Sequence, residues 1–133
     1  MRFALKCLCF TIALVAASSV RPLQAQETKP TFTVDAAKAK TGMSVFAAKG
    51  CAACHTIGKG RTIGPDLKGV LERRELAWVQ KWLANTTDML KTDSIAKVML
   101  KEANGIPMPQ LPLTPAEIDA LVHYVVQEGN KAK

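Results

Sequence analysis

The run Cys51-Ala52-Ala53-Cys54-His55 places two thiols three positions apart and an imidazole directly after the second thiol. A Cys-x-x-Cys-His run is the attachment signature of a c-type haem. Both thiols can add to the vinyl groups of the porphyrin, and His55 then lies beside the iron as its proximal ligand. The run predicts one haem c per chain, covalently bound through Cys51 and Cys54, and a fold that encloses it.

Residues 1–25 have the pattern of a cleavable export signal. Arg2 and Lys6 flank or precede an apolar stretch from Cys7 to Ala17, which has about the length of a signal-peptide core and is too short to span a bilayer. Cleavage after Ala25 predicts a periplasmic or otherwise exported protein with no stable membrane span in its mature form. An uncleaved signal anchor is the alternative.

Cleavage at that point also removes Cys7 and Cys9, so the haem motif keeps the only two thiols of the four in the whole chain. No disulfide framework then remains. The whole chain has 18 Lys and Arg residues against 11 Asp and Glu residues, and part of this excess lies in the signal. The remaining positive charge favours acidic protein partners and is too small to indicate nucleic-acid binding.

The mature chain has the length of one domain. Residues 26–33 lack apolar periodicity and predict a flexible lead-in, and residues 34–133 predict the domain itself. Its predicted helices run from an Asp35 cap to about Lys49, from Glu72 to Asn85, from an Asp93 or Ser94 cap to near Gly105, and from a Thr114 capping box to Gly129. Since no strand pattern is present, the fold class is all-α, with about four helices.

Several glycine and apolar positions sharpen this helical prediction. Gly42 lies in mid-helix, where glycine costs about 1 kcal/mol relative to alanine, so it predicts close approach of a second helix. An ordinary tolerated glycine is the alternative. Gly50 has the residue type of a left-handed helix end. In the third helix, the spacing predicts that Ile95, Val98 and Met99 face inward.

An iron that transfers electrons without binding small molecules needs a second axial ligand. The candidates downstream of His55 are Met89, Met99, Met108 and His123. Met99 lies on an apolar helical face, which is typical of a core methionine. Met89 lies among polar residues, and His123 lies on the last helix, so both are expected to be partly exposed.

Met108 differs from these because Pro107 precedes it and Pro109 follows it. Residues 106–112 cannot continue a helix, and they predict a stiff extended strap that holds the thioether with little entropy left to lose. Met108 is therefore the predicted axial ligand. A methionine that only fills a gap under the strap is the alternative.

Three features in this order resemble class I cytochrome c over about residues 34–128: the haem motif, Gly64-Pro65-Asp66-Leu67, and the Met108 strap before a capped helix. The resemblance implies a small cytochrome c fold around the haem. It also implies that the carbonyl of Pro65 accepts a hydrogen bond from His55, and that Leu67 packs against the haem.

The same resemblance implies further contacts. Gly42 and Phe46 resemble the N-terminal helix of that family, which crosses the C-terminal helix near its aromatic residue, here Tyr124. Arg73, Arg74 and Trp78 resemble groups that hydrogen-bond the haem propionates. Solvated arginines and a core tryptophan are the alternatives for these three.

The predicted function is one-electron transfer between redox proteins, not enzymatic catalysis. Lys49, Lys59, Arg61 and Lys68 flank the motif and predict a docking patch for an acidic partner, with solvated side chains as the alternative. Other hypotheses are a haem-bearing subunit of a dehydrogenase or reductase and a ligand-binding haem sensor. A zinc or dithiol module is disfavoured because the chain has no second Cys pair at a suitable spacing.

Overall fold

The computed structural model describes residues 31–132. The predicted signal peptide and residues 26–30 of the predicted lead-in lie outside the described residues. Within them the secondary structure is helical, and no strand occurs. The helices are α1 (Ala36–Ala48), α2 (Val70–Arg73), α3 (Leu76–Ala84), α4 (Thr86–Thr92), α5 (Ser94–Glu102) and α6 (Pro115–Lys131), with one turn of 3-10 helix at Cys51–Ala53. The all-α prediction is confirmed, although this part of the chain has six helices where about four were expected.

Helix α1 begins and ends at the predicted positions. The carboxylate of Asp35 accepts hydrogen bonds from the backbone N–H of Ala37 and Lys38, which satisfies two donors of the first turn. The bond from Lys38 is the main cause that lowers the pKa of Asp35. Gly50 follows the helix with φ 69°, the left-handed conformation that its position in the sequence predicts.

Helices α1 and α6 cross in close contact at Gly42. A Cβ atom built on Gly42 would overlap the carbonyl group of Ala120 and the Cβ of Tyr124. One turn further along, the rings of Phe46 and Tyr124 lie 5.3 Å apart. The close approach predicted from Gly42 is therefore confirmed, and the absence of a side chain there allows the two backbones to touch.

Helix α6 begins with the predicted capping box, in which Thr114 and Glu117 exchange hydrogen bonds. The helix continues to Lys131, so the predicted stop at Gly129 is wrong. Gly129 is buried and faces the backbone of Lys68 and Gly69. The glycine meets a need for close packing there and does not end the helix.

The predicted helix from Glu72 to Asn85 is two helices, α2 and α3. Arg74 adopts extended angles, φ −140° and ψ 144°, and separates them. No Gly or Pro marks this break in the sequence. The guanidinium of Arg73 instead donates to the carbonyls of Lys68 (2.6 Å) and Asp66 (2.8 Å), so tertiary contacts hold the end of α2.

Helix α4 has no counterpart in the sequence prediction, and it changes the position of Met89. This side chain is 2% exposed, so the expectation of partial exposure is wrong. Ala96 of α5 is also fully buried, and it packs in one cluster with Met89 and Trp82. Val98 is 52% exposed, which corrects its predicted inward orientation. Residues two positions apart on a helix do not share a face, so burial of Ala96 directs Val98 outward.

His123 is buried, contrary to the expectation of a surface histidine. Its Nδ1 accepts a hydrogen bond from the backbone N–H of Asp35 at 2.9 Å. The ring of Phe32 lies 4.7 Å from the imidazole ring. His123 thus joins α6 to the start of α1.

The core consists of two apolar clusters. One contains Val45, Phe46, Leu121 and Val125, and the other contains Trp82, Met89 and Ala96. A cavity separates them, since its walls include members of both. Within residues 31–132, no helix combines the length and the apolar character required to cross a membrane.

Candidate functional site

The cavity between the two clusters has a volume of about 450 Å³, which is within the usual range of small-molecule and cofactor sites. Five of the six predicted site residues line it: Cys51, His55, Pro65, Leu67 and Met108. The sixth, Cys54, lines a smaller hollow of about 110 Å³, whose walls share Cys51, His55 and Met108 with the main cavity. The structure therefore brings all six residues to one region.

The backbone of the motif is a tight turn. The N–H groups of Cys54 and His55 both donate to the carbonyl of Cys51, at 3.2 and 3.0 Å. Within the described residues both thiols are free and partly buried, and burial raises the pKa of Cys51. The turn places His55 immediately behind the two thiols, as covalent attachment of a porphyrin beside an iron ligand requires.

The imidazole of His55 is held by the segment that carries Pro65. Its Nδ1 lies 2.9 Å from the carbonyl oxygen of Pro65, the contact that the family resemblance implies. Gly64 donates to the carbonyl of Cys54 at 2.8 Å, and a Cβ on Gly64 would overlap the imidazole ring. When Nδ1 donates to Pro65, Nε2 keeps its lone pair and can bind a metal.

Asp66 organises the loop around this contact. Its Oδ1 accepts from the backbone N–H of Gly58 and Lys68, each at 2.8 Å, and its Oδ2 accepts from Gly60 N–H and the Thr56 hydroxyl, at 2.5 and 3.2 Å. Partial burial acts to raise the pKa of Asp66, but the backbone and hydroxyl donors outweigh it and lower the pKa to about 2. The carboxylate is therefore ionised at neutral pH.

Arg73, Arg74 and Trp78 all line the cavity, but they differ in what they can bind there. The indole N–H of Trp78 donates to Asp93 at 3.1 Å, which uses its single donor. Trp78 is therefore not free to hydrogen-bond a propionate in this arrangement. The guanidinium of Arg74 lies 5.6 Å from the centre of the Trp78 ring. The two arginines leave positive charge at the cavity.

Met108 is held by contacts that the sequence does not reveal. The indole N–H of Trp82 lies 3.2 Å from its sulfur. Two residues further on, the Gln110 amide donates to the carbonyl of Ala84 at 3.0 Å and accepts from the N–H of Thr87 at 3.2 Å. One side chain thus joins the strap to the end of α3 and the start of α4. Gln110 is the only polar side chain between Ile106 and Pro112, which is the one local signal for this role.

The other candidate axial ligands lie in different places. Met99 lines both the main cavity and the smaller hollow. Met89 is buried in the Trp82 cluster, and His123 is engaged with Asp35, so neither forms part of the cavity wall. Met99 and Met108 are therefore the two thioethers that share the cavity with His55.

The four cations of the predicted docking patch are not equivalent. Lys49 donates to the carbonyl of Pro112 at 2.7 Å and lies 3.7 Å from Glu117. Arg61 lies 3.4 Å from Glu102. Lys59 is exposed, and Lys68 is partly buried.

The residues present fit a haem c. Its thioether attachment needs two thiols near one edge, its iron needs neutral or soft axial ligands, and its porphyrin needs a broad apolar enclosure. The cavity offers Cys51, His55 and Met108 among mostly apolar walls, and Cys54 lies next to it.

The comparisons with known proteins agree with this chemistry. The cytochrome c family model matches residues 39–128. The cytochrome c from Rhodothermus marinus has a similar structure, with a TM-score of 0.69 and 27% identity over 79% of this chain and 88% of that one. The cytochrome c domain of the pp3183 protein from Pseudomonas putida has a TM-score of 0.60 and 32% identity over 68% and 89% of the two chains. No curated protein sequence matches.

The family match covers more than half of the chain and includes both cysteines of the motif, His55 and Met108. The chain therefore belongs to the cytochrome c family, whose members carry a haem and transfer electrons.

Proposed function

We propose that this protein is an exported one-electron carrier with one haem c, attached through Cys51 and Cys54 and bound at the iron by His55 and Met108. The observation that carries the proposal is that an imidazole, a thiol and a thioether line the same apolar cavity. When bound, haem supplies an iron that alternates between the ferrous and ferric states. The chain has to hold both ligands in one geometry and keep water away.

His55 suits the proximal position because its orientation is fixed from behind. The Nδ1–H donates to Pro65, so the tautomer with a free Nε2 is favoured. The carboxylate of Asp66 in turn fixes the loop on which Pro65 lies. These contacts do not depend on the charge of the iron, and they support a ligand that stays in place during electron transfer.

Met108 suits the distal position because its strap is already ordered. Two prolines restrict the backbone on either side, and Gln110 ties the strap to the α3–α4 junction. Little conformational entropy is then lost when the thioether binds. Met99 is the competing ligand because it lines the same cavity.

The walls of the cavity favour the reduced state. Leu67 and other apolar side chains surround the site, and a low-dielectric environment disfavours the extra positive charge of ferric iron. A neutral thioether acts in the same direction, so the reduction potential should exceed that of a haem with two histidines. Arg73 and Arg74 add positive charge where the propionates can reach it.

Axial ligation can be tested with two methionine variants. The oxidised parent should show the weak far-red charge-transfer band of a sulfur-ligated ferric haem. Met108→Ala should lose this band and bind carbon monoxide in the ferrous state, while Met99→Ala should keep the band and exclude the gas. If Met99→Ala loses the band instead, Met99 is the ligand. A parent that already binds carbon monoxide readily would favour the haem sensor.

The partners proposed are redox proteins with acidic docking surfaces. Lys59 is exposed near the motif and is the best placed of the four cations, since Lys49 and Arg61 already have acidic neighbours. Electrostatic steering predicts association that slows as salt is added. Lys59→Glu should slow electron transfer with an acidic redox partner at low salt, and a rate independent of this change would refute the role of Lys59.

A second candidate function is a permanent subunit of a dehydrogenase or reductase. Ile63 and Ile106 favour it, because they are 46% and 53% exposed and both border the hollow beside Cys54. Exposed aliphatic side chains of this size are typical of contact surfaces. Size-exclusion chromatography of native extract should show the haem at the monomer position for a free carrier and at a larger size for a subunit.

Export and attachment can be tested together by intact mass. The secreted protein should lack residues 1–25 and should exceed the mass of the remaining polypeptide by one haem. A product that keeps these residues would indicate a signal anchor, and a product without the added mass would refute covalent attachment.

A further inference from the structure

Trp82 makes an unusual contact inside the cavity. It is 7% exposed, and its Nε1 lies 3.2 Å from the sulfur of Met108. An indole has one N–H donor, and a thioether is a weak acceptor. The contact therefore directs a buried donor to a sulfur atom, in a place where water cannot compete for it.

The surroundings of Trp82 fix the direction of this donor. Its ring stacks on Trp78, with centroids 5.7 Å apart and planes inclined by 8°. Trp78 donates its own N–H to Asp93, and the hydroxyl of Thr86 donates to the carbonyl of Trp82. Because the ring is held by these contacts, its N–H cannot readily choose another partner.

We propose that Trp82 is a positioning residue that sets the ligand strength of Met108. The N–H occupies one lone pair of the sulfur, which leaves the other for the iron. It also draws electron density from the sulfur, so the thioether donates less to ferric iron and the ferrous state is favoured. This inference rests on the proposed function, in which Met108 is the axial ligand.

The first test removes the donor and keeps an aromatic ring. Trp82→Phe should shift the equilibrium toward ferric haem about threefold to tenfold, which is the range expected for the loss of one modest hydrogen bond. For a one-electron couple a tenfold shift is about 59 mV, so potentiometry can resolve it. Trp78→Phe is the matched control and should change the equilibrium less than about twofold, since its N–H does not reach the sulfur.

The second test strengthens the donor. The chain has two tryptophans, so each variant leaves one that can be labelled. 5-Fluorotryptophan has a more acidic N–H. Incorporated into Trp78→Phe, it should shift the equilibrium toward ferrous haem relative to the unlabelled variant. Incorporated into Trp82→Phe, it should cause no shift. This comparison remains decisive if Trp82→Phe binds its haem less well.

The possible results separate the two proposals. A parent without the far-red sulfur band would overturn the ligation by Met108 and this inference with it. A parent with the band, in which neither Trp82→Phe nor fluorination shifts the equilibrium, would overturn only the inference and leave Trp82 a packing residue. In the ferrous protein, the indole N–H resonance of Trp82 should also move in Met108→Leu, and an unchanged resonance would contradict the hydrogen bond.

Discussion

Asp66→Asn should destabilise the folded protein in a manner that depends on pH. The carboxylate accepts two donors on each oxygen. The asparagine carbonyl can still serve Gly58 and Lys68, but its NH₂ group would face the N–H of Gly60. The variant therefore replaces an accepted hydrogen bond with two opposed donors and removes a negative charge from the loop.

The magnitude follows from the shift of the pKa from 3.8 to about 2. Full conversion at about 1.4 kcal/mol per unit would overstate the effect, because solvent screens the carboxylate. We expect a loss of about 1 kcal/mol of unfolding free energy at pH 7. Since the folded-state pKa is lowered, this contribution is present above pH 3.8 and disappears as the pH falls through about 2. The parent and variant should therefore converge between those values.

Denaturant unfolding of the haem-bound protein, followed by circular dichroism from pH 6 to pH 2, measures this difference. Asp88→Asn is the control, because Asp88 is exposed and its closest cation, Lys91, is 3.9 Å away. The control should change stability by less than about 0.5 kcal/mol. A difference between Asp66→Asn and the parent that stays constant down to pH 2 would show that ionisation of Asp66 does not stabilise the loop.

Gly42→Ala should destabilise the fold by about 1–3 kcal/mol, because the new methyl group overlaps the α6 backbone, although alanine is the better helix former; thermal unfolding measures it. Gln110→Ala should accelerate binding of imidazole to the ferric protein about tenfold in stopped-flow mixing, because the strap loses two hydrogen bonds to α3 and α4. His123→Leu should cost about 1–2 kcal/mol in denaturant unfolding, because the N–H of Asp35 loses its acceptor.

Each of these predictions has a control or a contradicting result. Ser44→Ala, at an exposed position of α1, should be neutral or stabilising, and a Gly42→Ala variant that behaves like it would refute close contact at the crossing. Equal imidazole rates in Gln110→Ala and the parent would show that the strap is held without Gln110. A His123→Leu variant as stable as the parent would mean that solvent replaces the lost acceptor.

Local signals accounted for much of the helical framework. Asp35 and Thr114 cap their helices as predicted, because a side-chain oxygen next to the first helical turn is sufficient for capping. Gly42 was also informative, since a glycine in mid-helix is costly without close packing. The haem motif and its order with Pro65 and Met108 indicated the family before any fold was known.

Features that depend on tertiary contacts were not predictable in this way. Helix α4 has a short and largely polar sequence, so the burial of Met89 depends on Trp82 and Ala96 rather than on periodicity. The break at Arg74 has no glycine or proline. The hydrogen bond from Trp82 to Met108 joins residues 26 positions apart, and no sequence pattern encodes it.

The last turn of α6 gives the end of the chain an influence on the proximal ligand. Gly129 lies against Lys68 and Gly69, and a Cβ on Gly58 would overlap Ala132. Gly58 and Lys68 are both donors to Asp66, whose neighbour Pro65 orients His55. Proteolytic trimming of the final residues, far from the cysteines in sequence, should therefore register in the Soret absorption of the protein.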